Sequence, residues 1–142
     1  MRERKRCSVL ERETGGKRSF AFEVDCDGKH AGSIETFKSK AGGRVAWVVR
    51  RVFVDPSMRR QRLATQLYEA AAREACRRRG RLVSVGRDPG AFSNNFWEKQ
   101  VRLGRADKMR GKMTDGRVQP VYVLRDCPPP ALGVLSRRSR SR

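Results

Sequence analysis

From Ser19 to Cys26 the chain alternates, with Phe20, Phe22, Val24 and Cys26 apolar at every second position, which is the period of a half-buried strand. Asp27-Gly28 supplies a turn, because glycine accepts a positive φ without a steric penalty. The pattern resumes over His30–Phe37, with Ala31, Ser33, Glu35 and Phe37 on one face and Gly32, Ile34 and Thr36 on the other, so an antiparallel hairpin is predicted. Ala41-Gly42-Gly43 makes the next turn. Val45–Val54 (VAWVVRRVFV) is dense in β-branched and aromatic residues around Arg50-Arg51, which predicts a central strand interrupted by a bulge or twist and ended at Pro56.

The period then changes. Over Ser57–Arg79, Leu63, Ala64, Leu67, Tyr68, Ala71 and Ala75 recur at helical spacing while Arg62, Gln66, Glu69, Arg73 and Arg77 share the opposite face. Gly80 after the cationic turn Arg77-Arg78-Arg79 reads as the residue beyond the helix C-terminus. Arg81–Val85 is a short buried strand, Asp88-Pro89-Gly90 a turn, and Phe92–Leu103 a second amphipathic helix with Phe92, Phe96 and Gln100 or Leu103 on one side. Val118–Leu124 is a last strand, whose Pro120 predicts an edge or a bulge. The expected order is β-β-β-α-β-α-β. The fold class is α/β (α+β): a mixed central sheet, an antiparallel meander then a βαβ crossover, flanked by two main helices.

Composition sharpens this picture at the ends. The chain has 142 residues and a formal charge of +19, so one domain is expected. The segment 2–6 holds +3 and 136–142 holds +4, leaving +12 on residues 7–135, so the folded part should itself attract phosphates, acidic substrates or acidic partners. The expected organisation is a basic polar segment over 1–19, ordered only where it meets the fold, a domain over 20–127, and a Pro-rich turn with a flexible Arg/Ser tail over 128–142. The tail either is simply solvated or binds nucleic acid, and its serines are open to phosphorylation. Cys7, Cys26, Cys76 and Cys127 lack the clustering that structural zinc needs, so no metal site is expected and all four read as ordinary reduced thiols. No apolar leader follows Met1 and no stretch is long enough to span a membrane, so the expectation is a cytoplasmic protein with no membrane partner.

The densest chemical signal lies where a strand ends at Pro and a basic turn opens the long helix: Val52-Phe53-Val54-Asp55-Pro56-Ser57-Met58-Arg59-Arg60-Gln61-Arg62-Leu63-Ala64-Thr65. Unpaired amides at a positive helix end can cradle a phosphate, and the alternative is a basic helix whose charges are merely solvated. Trp47 and Trp97 likewise either fill the core or stack on a base.

Val54-Asp55-Pro56 followed by Arg59-Arg60-Gln61-Arg62-Leu63-Ala64 resembles the signature Arg/Gln-x-x-Gly-x-Gly/Ala of the GNAT superfamily of acyl-CoA-dependent N-acyltransferases. The resemblance spans roughly residues 20–125, although the one or two helices common near the family's N-terminal end have no room here. It implies acetyl-CoA (coenzyme A) as cosubstrate, with pantetheine pairing like a strand with the backbone of Val52, Phe53 and Val54. It also implies a pyrophosphate on the amides of Arg59, Arg60, Gln61, Arg62, Leu63, Ala64 and Thr65. Arg62 stands where the family has its first glycine, so the turn either keeps φ negative or bears a left-handed cost of about 1 kcal/mol.

By the same resemblance, the family's usual carboxylate falls on Val48, its tyrosine on Trp97 and its asparagine on Gly90. The usual acid and base are therefore absent from their usual places. Tyr68 and Tyr122 are the alternative proton donors, Glu35 and Glu23 the alternative bases, and Ser84 can hold a water. Each also has a purely structural reading. Water can accept the proton of an amine attacking a positioned thioester, so a dedicated base is not required. The implied function is acetyl transfer from acetyl-CoA to a primary amine of an unidentified substrate, by direct transfer. The alternative is a scaffold without catalysis that holds nucleic acid or an acidic protein.

Overall fold

A computed structural model describes residues 6–41, 43–85, 91–112, 116 and 118–125. Asp88-Pro89-Gly90 and the tail from 126 lie outside the described residues. Seven strands form one sheet in the order β1-β2-β3-β4-β5-β7-β6: β1 Cys7–Arg12, β2 Ser19–Cys26, β3 Lys29–Ala41, β4 Arg44–Val54, β5 Arg81–Val85, β6 Ala106–Lys112 and β7 Val118–Leu124. Helix α1 is Leu63–Arg77 and helix α2 is Ala91–Arg102. β4 and β5 are parallel and linked through α1, while the other neighbouring pairs are antiparallel, which is the predicted meander and crossover.

Local chemistry explains the turns. Asp27 and Gly28 have φ of 51° and 82°, the paired positive angles that suit a tight hairpin between β2 and β3. Between β3 and β4 the register passes from Glu35 opposite Arg51 to Thr36 opposite Val49, so Arg50 is the extra residue of a bulge, as expected from the arginine pair.

Cross-strand partners share a face. One face carries Phe20, Phe22, Val24, Ile34, Trp47, Val54 and Leu82, buried together with Leu63, Leu67, Tyr68, Ala71 and Ala75 of α1. α2 lies on the same side, since its Phe96 stacks on Tyr68 at 4.6 Å and its Trp97 on Tyr122 of β7 at 5.5 Å. The opposite face keeps Leu10, Phe37, Phe53 and Met109 exposed. Glu74, buried on α1, is not left unpaired: it accepts from Arg77 Nη2 at 2.6 Å and Arg78 Nε at 2.7 Å. No helix among the described residues is long and apolar enough to cross a membrane.

Five expectations are corrected. First, β1 lies inside the segment read as polar, and β6 was not foreseen; they are the two edges of the sheet, where charged residues blur the alternation. Second, α1 starts at Leu63, because Pro56–Gln61 forms a 3-10 turn and Arg62 leaves the right-handed region. Third, Arg79 and not Gly80 takes the left-handed position after α1, with φ of 63°. Gly80 is needed for space instead, since a Cβ there would lie 2.8 Å from Trp47 Cδ1. Fourth, β7 is flanked on both sides, so Pro120 is not on an edge strand. It sits one residue beyond the last described β5–β7 pair, Val85 with Val121, and pairs with Arg110 of β6. Fifth, the thiols are not all reduced: Cys7 and Cys26 face each other across β1 and β2 and form a disulfide, and Cys76 is disulfide-bonded as well.

Candidate active site

The site begins beyond the β4–β5 ladder. Among the described residues β4 and β5 pair at Ala46–Val48 with Arg81–Val83, and β4 continues to Val54. The Arg50 bulge falls just beyond the last pair. A bulge bends its strand and increases local twist, and among the described residues the β4–β5 ladder stops at Val48. Val52, Phe53 and Val54 lie beyond that point, with Val54 buried and Phe53 exposed. Gly32 lets β3 approach closely behind them: a Cβ there would stand 2.6 Å from the Phe53 carbonyl oxygen.

β4 leads into the basic turn. The Asp55 carboxylate accepts from Ser57 N at 2.9 Å and Ser57 Oγ at 2.7 Å, which closes the 3-10 turn. Arg62 then takes φ of 60° and ψ of 31°, and α1 begins with no side-chain cap and no acid in its first turn. The first amides of an α-helix have no partner within the helix, and here no side chain takes them. Positive potential at that end adds to the Arg62 charge. Leu63 is a core residue, so only its backbone can serve a ligand, whereas Ala64 and Thr65 are half-buried. The backbone of Arg59, Arg60 and Gln61 forms the turn, and their side chains lie outside the described residues.

Arg62, Ala64 and Thr65 open into a cleft of about 480 Å³ between α1 and α2, with Val54 at one end. Phe96, Lys99, Gln100 and Leu103 form the α2 wall, and Glu69 is the one acid among the lining residues. Gln100 is 9% exposed and lines the cleft, and its carboxamide has no hydrogen-bond partner among the described residues, so it is free to meet a polar ligand group. Lys99, Gln100 and Arg105 escaped the sequence reading as ligand groups, because α2 shows only its amphipathic period and the cleft requires its packing against α1.

The four candidate catalytic residues lie in three places. Ser84 is the first β5 residue past the last β4–β5 pair, and it faces Tyr122 across the β5–β7 ladder. Tyr122 is buried and donates its hydroxyl to Glu98 Oε2 at 2.6 Å, and Lys108 Nζ donates to the same oxygen at 3.0 Å. Burial, then the Glu98 contact, pushes the Tyr122 phenol above its ordinary value, so it stays protonated at neutral pH. Tyr68 lies behind the cleft, 1% exposed and stacked on Phe96. Glu35 belongs elsewhere: on the opposite sheet face it accepts from Arg12 Nη2 at 2.8 Å, and Glu23 accepts from Arg12 Nη1 at 3.1 Å. The structure thus joins Ser84 with Tyr122 and Glu35 with Glu23, but does not join the two pairs. Trp97, 1% exposed, keeps an indole N–H without a partner among the described residues, and indole is far too weak an acid to protonate a thiolate.

The acetyltransferase (GNAT) family model matches residues 2–101. Among solved structures, the ribosomal-protein-S18-alanine N-acetyltransferase from Escherichia coli superposes with a TM-score of 0.59 at 18% identity, covering 92% of this chain and 100% of that one. An aminoglycoside 6'-acetyltransferase type Ii gives a TM-score of 0.60 at 17% identity, with 81% and 74% of the chains covered. The NatC complex bound to Gag peptide and CoA gives 0.58 at 13% identity over 73% and 69%. No curated protein matches the sequence.

Proposed function

The chain belongs to the acetyltransferase (GNAT) family, and from that premise we propose that it transfers an acetyl group from acetyl-CoA to a primary amine by direct transfer in a ternary complex. The observation that carries this reading is the continuity of one path: the stretch of β4 beyond its last β5 pair, the uncapped α1 amides, and a cleft lined by Arg62, Lys99, Gln100 and Arg105. A solved GNAT-fold neighbour was captured with CoA, which is consistent with such a path.

Acetyl-CoA supplies the activated acyl carbon, whose bond to sulfur breaks as its bond to the amine nitrogen forms. The backbone of Val52–Val54 offers strand-like hydrogen bonds to the pantetheine amides in a gap beside β4, beyond its last β5 pair. The amides of Leu63, Ala64 and Thr65 would serve the pyrophosphate, and the small methyl side chain of Ala64 would let it approach. Gln100 offers its carboxamide to a polar group of the cofactor from the opposite wall. Glu35, one strand away, is held by Arg12 and is not assigned as the base. The proton released by the amine is assigned to a water that Ser84 can hold, from which it passes to the departing thiolate, and holding both reactants together provides the main rate gain.

The second reading, a scaffold that holds nucleic acid or an acidic partner, draws on the same observation about Glu35 and on the charge of +19. Calorimetric titration of acetyl-CoA, with ATP as the control for unspecific phosphate attraction, separates the two. Affinity on the order of micromolar for acetyl-CoA alone, followed by amine-dependent release of free thiol, is the expected result. Binding no tighter than ATP would leave the scaffold reading.

A further inference from the structure

The described lining of the cleft carries three cations, Arg62, Lys99 and Arg105, and one acid, Glu69 of α1, which pairs with none of them. Arg62 stands at the helix end, but Lys99 and Arg105 line the cleft from the far side, on α2 and just past its C-terminus. Neither Lys99 nor Arg105 has a hydrogen bond or ion pair from its side chain among the described residues, although each has a carboxylate close by in sequence. The reason is that both carboxylates are taken. Glu98 is bound by Tyr122 and Lys108, which hold it below the usual carboxylate range. Asp107 accepts from Arg125 Nε at 2.8 Å and Nη2 at 2.6 Å.

Arg125 also fixes where Arg105 starts. Its Nη1 donates to the Gly104 carbonyl at 3.1 Å, its amide donates to the Arg105 carbonyl at 2.8 Å, and the Arg105 amide donates to the Gln100 carbonyl at 2.8 Å. The backbone at 104–105 is thus tied down on both sides while the Arg105 side chain stays uncommitted. Beside these two cations lies the unpartnered Gln100 amide. The arrangement suits an anion with free acceptor oxygens and a charge of roughly −1.5 to −2, which is a phosphate monoester near neutral pH.

We propose that Lys99 and Arg105 form a phosphate-monoester subsite, distinct from the pyrophosphate turn, that reads the ribose 3′-phosphate of coenzyme A and makes this chain select CoA over dephospho-CoA. This inference rests on the acetyl-CoA reading above. The subsite lies across the cleft from Arg62, so it acts on affinity and cofactor choice and leaves the reacting end of the gap untouched.

The test is calorimetric titration of CoA and of dephospho-CoA into the full chain, the Lys99→Gln/Arg105→Gln variant, and a charge-matched Lys40→Gln/Arg44→Gln variant at the far β3–β4 hairpin. The wild type is expected to prefer CoA by at least about tenfold, the scale of one charge-assisted contact. Lys99→Gln/Arg105→Gln should bind both ligands alike, at close to the wild-type affinity for dephospho-CoA, and the hairpin variant should keep the full preference. A wild type indifferent to the 3′-phosphate overturns the subsite, as does a preference that survives in Lys99→Gln/Arg105→Gln. Equal loss in both variants would assign the effect to the general field and also overturn it. If the wild type binds neither ligand, the acetyl-CoA reading itself falls, and the subsite with it.

Discussion

Arg62 holds a left-handed backbone that glycine would adopt freely, at φ of 60°, and it holds a cation at the mouth of the cleft. The two roles separate in Arg62→Gly. Relief of the backbone should raise stability by up to about 1 kcal/mol, while loss of the charge weakens acetyl-CoA binding several-fold; denaturant melts and calorimetry on one preparation read both. A second residue-scale prediction concerns Tyr122. Its hydroxyl, then Lys108, hold the Glu98 carboxyl below its ordinary value of 4.5. A depressed carboxylate adds stability above its ordinary range and loses it as pH falls through the folded value. In Tyr122→Phe the Glu98 titration, followed by NMR, should therefore move upward. The stability deficit of the variant should be present at about pH 7 and shrink by about pH 3. An unmoved Glu98 titration would show that Lys108 alone holds it.

At the scale of elements, strands with one buried face were legible and those at the margins were not. β2, β5 and β7 match their sequence patterns because alternating or buried apolar residues mark them, as at Phe20, Phe22 and Val24 or Leu82 and Val83. β1 and β6 carry Glu11 and Arg12, and Asp107, Lys108 and Arg110; only pairing with β2 and β7 makes them strands. The end of α1 differs from its reading for a related reason: Arg79 takes the left-handed turn, with the Gly80 amide donating to the Ala75 carbonyl at 2.8 Å, and Gly80 is kept free of a Cβ by Trp47, a contact far away in sequence. The same logic makes Gly32 a test of the gap. Gly32→Ala would drive a Cβ against the backbone oxygen of Phe53, which cannot swing aside. A loss of about 1–3 kcal/mol is expected, together with weaker acetyl-CoA binding, because β4 shifts where it borders the gap. Unchanged affinity would mean that β4 does not contact the cofactor.

For the molecule as a whole, the Cys7–Cys26 disulfide ties the edge strand β1 to β2 across 19 residues. Chain-entropy arguments give roughly 3 kcal/mol for a loop of that size. Cys7→Ser/Cys26→Ser should lower the Tm accordingly under oxidising conditions, and reductant, which also opens the disulfide of Cys76, should lower it further, which thermal melts with and without reductant can check. The pairing was not readable from spacing, because any two of four separated cysteines can pair on paper and only the β1–β2 register sets Cys7 opposite Cys26. The sequence by itself determined the meander and crossover, an interruption of the central strand near Arg50-Arg51, the basic turn ahead of the long helix and the family resemblance. These follow from local period, turn chemistry and a contiguous motif. What tertiary structure decided was everything that joins distant residues: the pairing of β4 with β5, the cleft between α1 and α2, and the binding of Glu35 to Arg12. It likewise decided the capture of Glu98 and Asp107, which leaves Lys99 and Arg105 uncommitted. Such contacts depend on which elements lie side by side, and local hydrophobic period carries no record of that.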